Sequence, residues 1–177
     1  ASGALLGDIT GVVGYSFGNF EVIPTEDFTP NIVASGLSPE TSSLMGSSTE
    51  LTIASYNVLN LDPNDNDGDT DIANGRFDAI GTQIVNNLNS PDIIGLQEVQ
   101  DNSGSVDDGT TSASLTLQTL IDAIIAAGGP IYEFIDNTFI GDNMSGGQPG
   151  GNIRTAFLYN PNRVVLDVMS VQTIGGQ

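Results

Sequence analysis

Two apolar segments with an amphipathic helix between them constrain this chain more than any other feature. LTIASYNVLNL begins at Leu51 and PDIIGLQEVQ at Pro91. Between them, RFDAIGTQIVNNLN sets Phe77, Ile80, Ile84, Val85 and Leu88 at helical spacing, and Ser90-Pro91 stops the helix. The order strand, helix, strand predicts a β-α-β unit, whose strands run parallel and finish at the same edge of the sheet. That topology brings Asn57 and Glu98 together from distant positions in the sequence. A carboxylate following Ile-Ile-Gly-Leu-Gln at the mouth of a sheet suits a divalent cation facing a phosphate. The simpler alternatives are a surface carboxylate ending a strand at Glu98 and a turn-capping side chain at Asn57.

The pattern continues beyond Glu98. Ser112–Ala127 carries Leu117, Leu120, Ile121, Ile124 and Ile125 on one face, with Gly128-Gly129-Pro130 as a stop, and predicts a second helix. IYEFID, NIRTAFLY and RVVLDVMS then read as strands, the last two joined as a hairpin through Asn160-Pro161-Asn162. Upstream, residues 1–24 read as a β-hairpin ending at Pro24, with a glycine-containing turn between Val13 and Phe20. Residues 25–50 are rich in Ser, Thr, Pro and Gly without periodicity and predict a linker, leaving 51–177 as the main unit.

Composition limits the chemistry. The 177 residues include no cysteine and no histidine, so thiolate metal sites and a cysteine nucleophile are excluded. The usual proton-transfer group near neutral pH is missing as well, which reads as part of an enzyme rather than a whole one. Only 3 Lys+Arg stand against 22 Asp+Glu, for a net charge of -19. That charge repels nucleic acid and anionic membranes unless cations intervene. Such acidity, with ample Gly, Asn, Ser and Thr and no Cys or Trp, suits a secreted or cell-surface bacterial protein, or one from a saline environment, that stays soluble and binds calcium outside the cell. No apolar run is long enough for a membrane span, and the chain looks excised from something longer.

The densest charge lies in LDPNDNDGDTDIANG. Alternate carboxylates at Asp65, Asp67, Asp69 and Asp71, with a bend at Gly68, offer the hard oxygen ligands that Ca2+ takes. The spacing is not that of an EF-hand, because placing Gly68 at the sixth position puts Pro63 in the first ligand slot. The alternative is a solvated acidic loop. A second acidic run, from Asp101 to Asp108, has poorer spacing and reads as loop.

SYNVLNL, DIIGLQEV and GGNIRTAFLYNPNRV, in that order and with a helix between the first two, resemble the first half of the endonuclease/exonuclease/phosphatase superfamily, in particular its large secreted bacterial nucleases. The resemblance spans roughly residues 50–170. It implies an α+β fold, half of a four-layered sandwich in which two sheets meet face to face with helices outside. It also implies that the N-terminal hairpin ends an upstream OB-like domain. Asn57 falls on the family's asparagine after the first strand, Glu98 on its metal-binding glutamate, and Arg154 on an arginine before a strand ending in Tyr, here Tyr159. Mg2+ or Mn2+ held by Asn57 and Glu98 is the implied cofactor. Arg154, just after a glycine-rich loop, either reaches a phosphate or pairs with one of the many acids.

The family's histidine, Asp-x-Asn motif and closing Asp-His pair have no counterpart here. The resemblance therefore implies a chain inactive by itself, whose partner is the missing C-terminal half of the same domain. One sheet face is then expected to lack its partner sheet and to be covered by the N-terminal segment, by self-association or by looser packing. Two functions follow. One is a fragment of a metal-dependent phosphodiesterase, a secreted nuclease with DNA or RNA as substrate. The other is a noncatalytic, calcium-stabilised module of a large secreted or cell-surface protein.

Overall fold

The computed structural model describes residues 3–144 and 147–172, so residues 1–2, 145–146 (with Gly146 of the glycine-rich loop) and 173–177 lie outside the description. The chain divides into two compact units, 1–40 and 41–177.

The smaller unit is built on a hairpin of β1 (Gly11–Ser16) and β2 (Asn19–Pro24). The turn residues Phe17 and Gly18 both have positive φ, as a tight two-residue connection between right-twisted strands requires. Tyr15 and Phe20 pair across the strands edge to face, with ring centroids 5.0 Å apart. An isolated bridge joins Leu5 to Val33, and none of the described residues of this unit is buried.

The larger unit is α+β. A mixed sheet runs in the order β3 (Ile53–Leu61), β4 (Ile93–Val99), β6 (Arg154–Tyr159), β5 (Glu133–Ile135). β3 and β4 are parallel and joined by α1 (Arg76–Asn86), which is the expected β-α-β unit, while the other pairs are antiparallel. α2 (Ser114–Ala126) packs beside α1. Ile94 and Leu96 of β4 and Ala156 and Leu158 of β6 alternate into one core with Phe77, Ile80 and Ile84 of α1 and Leu117, Leu120, Ile121 and Ile124 of α2. The helices therefore cover one sheet face. On the other, Ile53 is 71% exposed and Phe157 48%. A groove on this side is lined by Ile93, Ile135, Phe157, Tyr159, Val164 and Leu166.

Four details differ from those expected. α1 ends at Asn86, short of Ser90, because the Asn87 carbonyl accepts the Ser42 N–H (2.7 Å) and Asn89 and Ser90 take left-handed φ. The first turn of α2 draws its cap from outside the helix: Asn102 Oδ1 accepts the N–H groups of Leu115 (2.8 Å) and Thr116 (3.3 Å). RVVLDVMS forms no strand and no hairpin with β6. Residues 160–163 make a turn, Arg163 folds back onto Asp92, and Val168–Ser170 is a short 3-10 helix. Val165 and Met169, exposed at 93% and 86%, bury nothing that a strand pairing would need. Part of the presumed linker belongs to the larger unit, since Arg163 Nη2 donates to the carbonyls of Ser47 and Glu50.

Candidate functional site

The parallel pair β3–β4 carries its carboxyl ends to one edge, and there both strands leave their regular alternation. In β4 the inward positions run Ile94, Leu96 and then Val99 rather than residue 98. In β3 they run Tyr56, Val58 and then Leu61. The ladder pairs Asn57 with Gln97 and resumes only at Leu61 with Val99. Leu59, Asn60 and Glu98 all have left-handed φ, of 55°, 54° and 59°. Non-glycine residues hold that conformation at a cost of about 1–3 kcal/mol each and gather at functional sites. The result is that Glu98, which strict alternation would drive into the core, is turned out toward Asn57. Asn57 Nδ2 donates to Glu98 Oε1 at 2.7 Å. Asn57 Oδ1 also accepts the Leu59 N–H at 2.8 Å, so the turn-capping role is real and coexists with the contact to Glu98.

Glu98 is half-buried and Asn57 exposed. All the cationic side chains of the chain are arginines, and each is engaged elsewhere: Arg76 with Asp71, Arg154 with Asp136, Arg163 with Asp92. No side-chain cation therefore balances Glu98; the Asn57 amide N–H faces its Oε1 while Asn57 Oδ1 holds the Leu59 N–H, so the hard anionic donor a cation such as Mg2+ or Mn2+ takes is the Glu98 carboxylate.

For Arg154 the structure shows the ion pair. Its side chain is fully buried; Nη1 donates to Asp136 Oδ1 (3.1 Å) and Nε to the Asn152 carbonyl (3.1 Å), while Nη2 has no partner. Asp136 also accepts the Ala113 N–H at the start of α2 (3.0 Å), so the pair ties β6 to that helix. From the glycine-rich loop it is Gln148 that approaches the strand ends. Its Oε1 accepts from Gln100 Nε2 (2.7 Å) and Asn60 Nδ2 (3.5 Å). Neither Gln148 nor Asn60 stands out in the sequence, where amides in loops are common.

The acidic loop is divided. Asp65 spends both oxygens on the N–H groups of Ile72 and Ala73 (2.9 Å each). Asp71 pairs with Arg76 and accepts the Asp62 N–H (3.2 Å). Asp67 and Asp69 instead converge with Asp62, which the spacing argument passed over. Burial pushes the Asp62 carboxyl up; the Asn64 N–H opposes this, and the charges of Asp67, Asp69 and Asp71 add to it, leaving it at about 7. Asp69 is also raised, by burial and then by Asp71 and Asp67.

Comparison with protein-family models, with curated proteins and with solved structures gave no match. Among the described residues no helix is long and apolar enough to cross a membrane.

Proposed function

We propose that this chain supplies half of the catalytic site of a divalent-metal-dependent phosphodiesterase, a secreted bacterial nuclease of the endonuclease/exonuclease/phosphatase type acting on DNA or RNA. The observation that carries the reading is the 2.7 Å contact of Asn57 with Glu98 at the edge where two parallel strands end, reached through irregularities in both strands. Strain held in register by two neighbouring strands makes sense where a side chain must meet a ligand. When bound, the metal would polarise a phosphodiester and stabilise the charge that develops during attack by water.

In this reading Glu98 supplies the charged oxygen. Asn57 orients it through Nδ2 and offers the second lone pair of Oδ1. Arg154, opposite Val99 in the β4–β6 ladder and paired with Asp136, anchors the strand next to the one that carries Glu98 and does not itself meet the phosphate. Gln148, bonded to Asn60 and Gln100, holds the glycine-rich loop beside the strand ends. With no histidine in the chain, proton transfer falls to residues outside it. The uncovered sheet face with Ile53 and Phe157 suits a second sheet contributed by the remainder of the domain. A noncatalytic calcium-stabilised module is the second reading, and the convergence of Asp62, Asp67 and Asp69 is what favours it.

The test is nicking of supercoiled plasmid with Mg2+ by the intact protein that contains this chain, beside the same protein carrying Glu98→Ala. Nicking lost in the variant, with unchanged circular dichroism, supports the phosphodiesterase. Absence of nicking by the intact protein moves the conclusion to the module.

A further inference from the structure

Asp62, Asp67 and Asp69 each bring one carboxylate oxygen to within 4.8 Å of the others. That span matches the width of a shell of oxygens at about 2.4 Å from a central Ca2+. Clustering alone would describe any acidic loop, but Asp62 adds a separate observation. The residue is 0% exposed and its Oδ2 has no hydrogen-bond partner. A fully buried carboxylate oxygen without a donor is costly unless something fills the position.

The surroundings favour a cation. Gly104, with φ of 63°, closes over the group so tightly that a Cβ there would lie 2.2 Å from Asp67 Oδ2 and 2.6 Å from Asp62 Oδ1. Ser105 N–H holds Asp67 Oδ2 at 2.7 Å, and Asn64 Nδ2 donates to the Ser103 carbonyl at 2.8 Å, so two loops are already laced together around the carboxylates. Arg76 is taken by Asp71 and by the Val58 and Leu59 carbonyls.

We propose that Asp62, Asp67 and Asp69 hold a Ca2+ ion, and that this ion steadies the β3 irregularity behind Asn57. The route is short. Asp62 N–H donates to Asp71, Asp71 pairs with Arg76, and Arg76 holds the carbonyls of Val58 and Leu59, the latter at left-handed φ. Ordering the loop at Asp62 therefore restrains the backbone that aims Asn57 at Glu98. The coupling to Asn57 rests on the reading of that pair as a ligand set, whereas Ca2+ binding does not.

The experiment uses the 177-residue chain stripped with chelator, in about 0.15 M salt to screen nonspecific attraction. Calorimetric titration with CaCl2 is followed by melting and by amide exchange at Val58–Leu61. The expected result is uptake of a single ion with Kd of roughly 10⁻⁵–10⁻³ M, a raised Tm, and slower exchange at those amides. The double variant Asp67→Asn/Asp69→Asn should weaken Kd at least about tenfold, as loss of charged ligands does. If it fails to fold, Asp69→Asn, at an exposed position, takes its place. Glu98→Gln should leave Ca2+ uptake intact. The proposal is overturned if the wild type takes up no Ca2+, if the Asp variants bind as well as the wild type, or if Glu98→Gln abolishes uptake. Binding without any change in exchange at Val58–Leu61 overturns the coupling. Absence of nicking by the intact wild-type protein, with Ca2+ uptake preserved, would count against the phosphodiesterase alone.

Discussion

Gly81 of α1 lies against the backbone of Ala123 in α2: a Cβ on Gly81 would come within 2.8 Å of both the carbonyl carbon and the carbonyl oxygen of Ala123. The helices cross where one of them has no side chain, and the contact is with main chain that cannot rotate away. Gly81→Ala, favourable on helix propensity alone, should therefore destabilise the larger unit by about 1–3 kcal/mol, the usual range for overpacking. Urea unfolding followed by circular dichroism checks it. A neutral or stabilising result would mean that the helices can part without loss.

The buried ion pair of Arg154 with Asp136 makes a second prediction. Arg154→Ala leaves Asp136 with its charge and without its partner, and removal of one member of a buried pair costs about 3–5 kcal/mol. The loss should appear as a lowered denaturation midpoint. A stable Arg154→Ala chain would show that the Ala113 N–H and solvent are enough to hold the Asp136 charge.

Stability should fall in acid through Asp92. Burial pushes its carboxyl up, but the Arg163 guanidinium and the N–H and hydroxyl of Thr52 outweigh burial and hold it below the ordinary value of 3.8. A carboxyl depressed in the folded state stabilises above its unfolded pKa and loses that contribution as pH drops through the folded one. Denaturation midpoints measured from about pH 5 downward should thus decline below about pH 4, and Asp92→Asn should flatten the decline while lowering stability at neutral pH. An unchanged slope in the variant would assign acid sensitivity to other carboxylates.

Asn57 is exposed, so truncating it to Ala should change stability by only about 0.5–1.5 kcal/mol, the net worth of a typical hydrogen bond. Its effect on metal-dependent nicking by the intact protein should be larger, about 10–100-fold, as for groups that orient a metal-binding side chain. Equal losses in stability and rate would reduce Asn57 to a turn cap.

The parts of this fold that were legible in the sequence are those governed by local periodicity. Phe77, Ile80 and Ile84 announce α1, and the apolar runs on either side announce the parallel pair, so the meeting of Asn57 with Glu98 follows from topology. What periodicity cannot reveal is a break in periodicity. Glu98 occupies a position that alternation assigns to the core, and only the left-handed backbone at Glu98, Leu59 and Asn60 shows how it escapes. Long-range partners were equally hidden. Nothing near Arg154 in sequence names Asp136, and alternate spacing favoured Asp65 and Asp71 although local N–H groups and Arg76 claim them. RVVLDVMS reads as a strand by composition and fails for want of a neighbour to bury its side chains.

The commitment of every guanidinium to a carboxylate has a thermodynamic consequence for any polyanion this chain meets. Proteins that grip nucleic acid with arginine and lysine displace condensed counterions, and their affinity drops steeply as monovalent salt rises. Here no such side chain is free to displace them. On the nuclease reading proposed above, contact made through this surface should respond little to sodium chloride and strongly to divalent cation concentration.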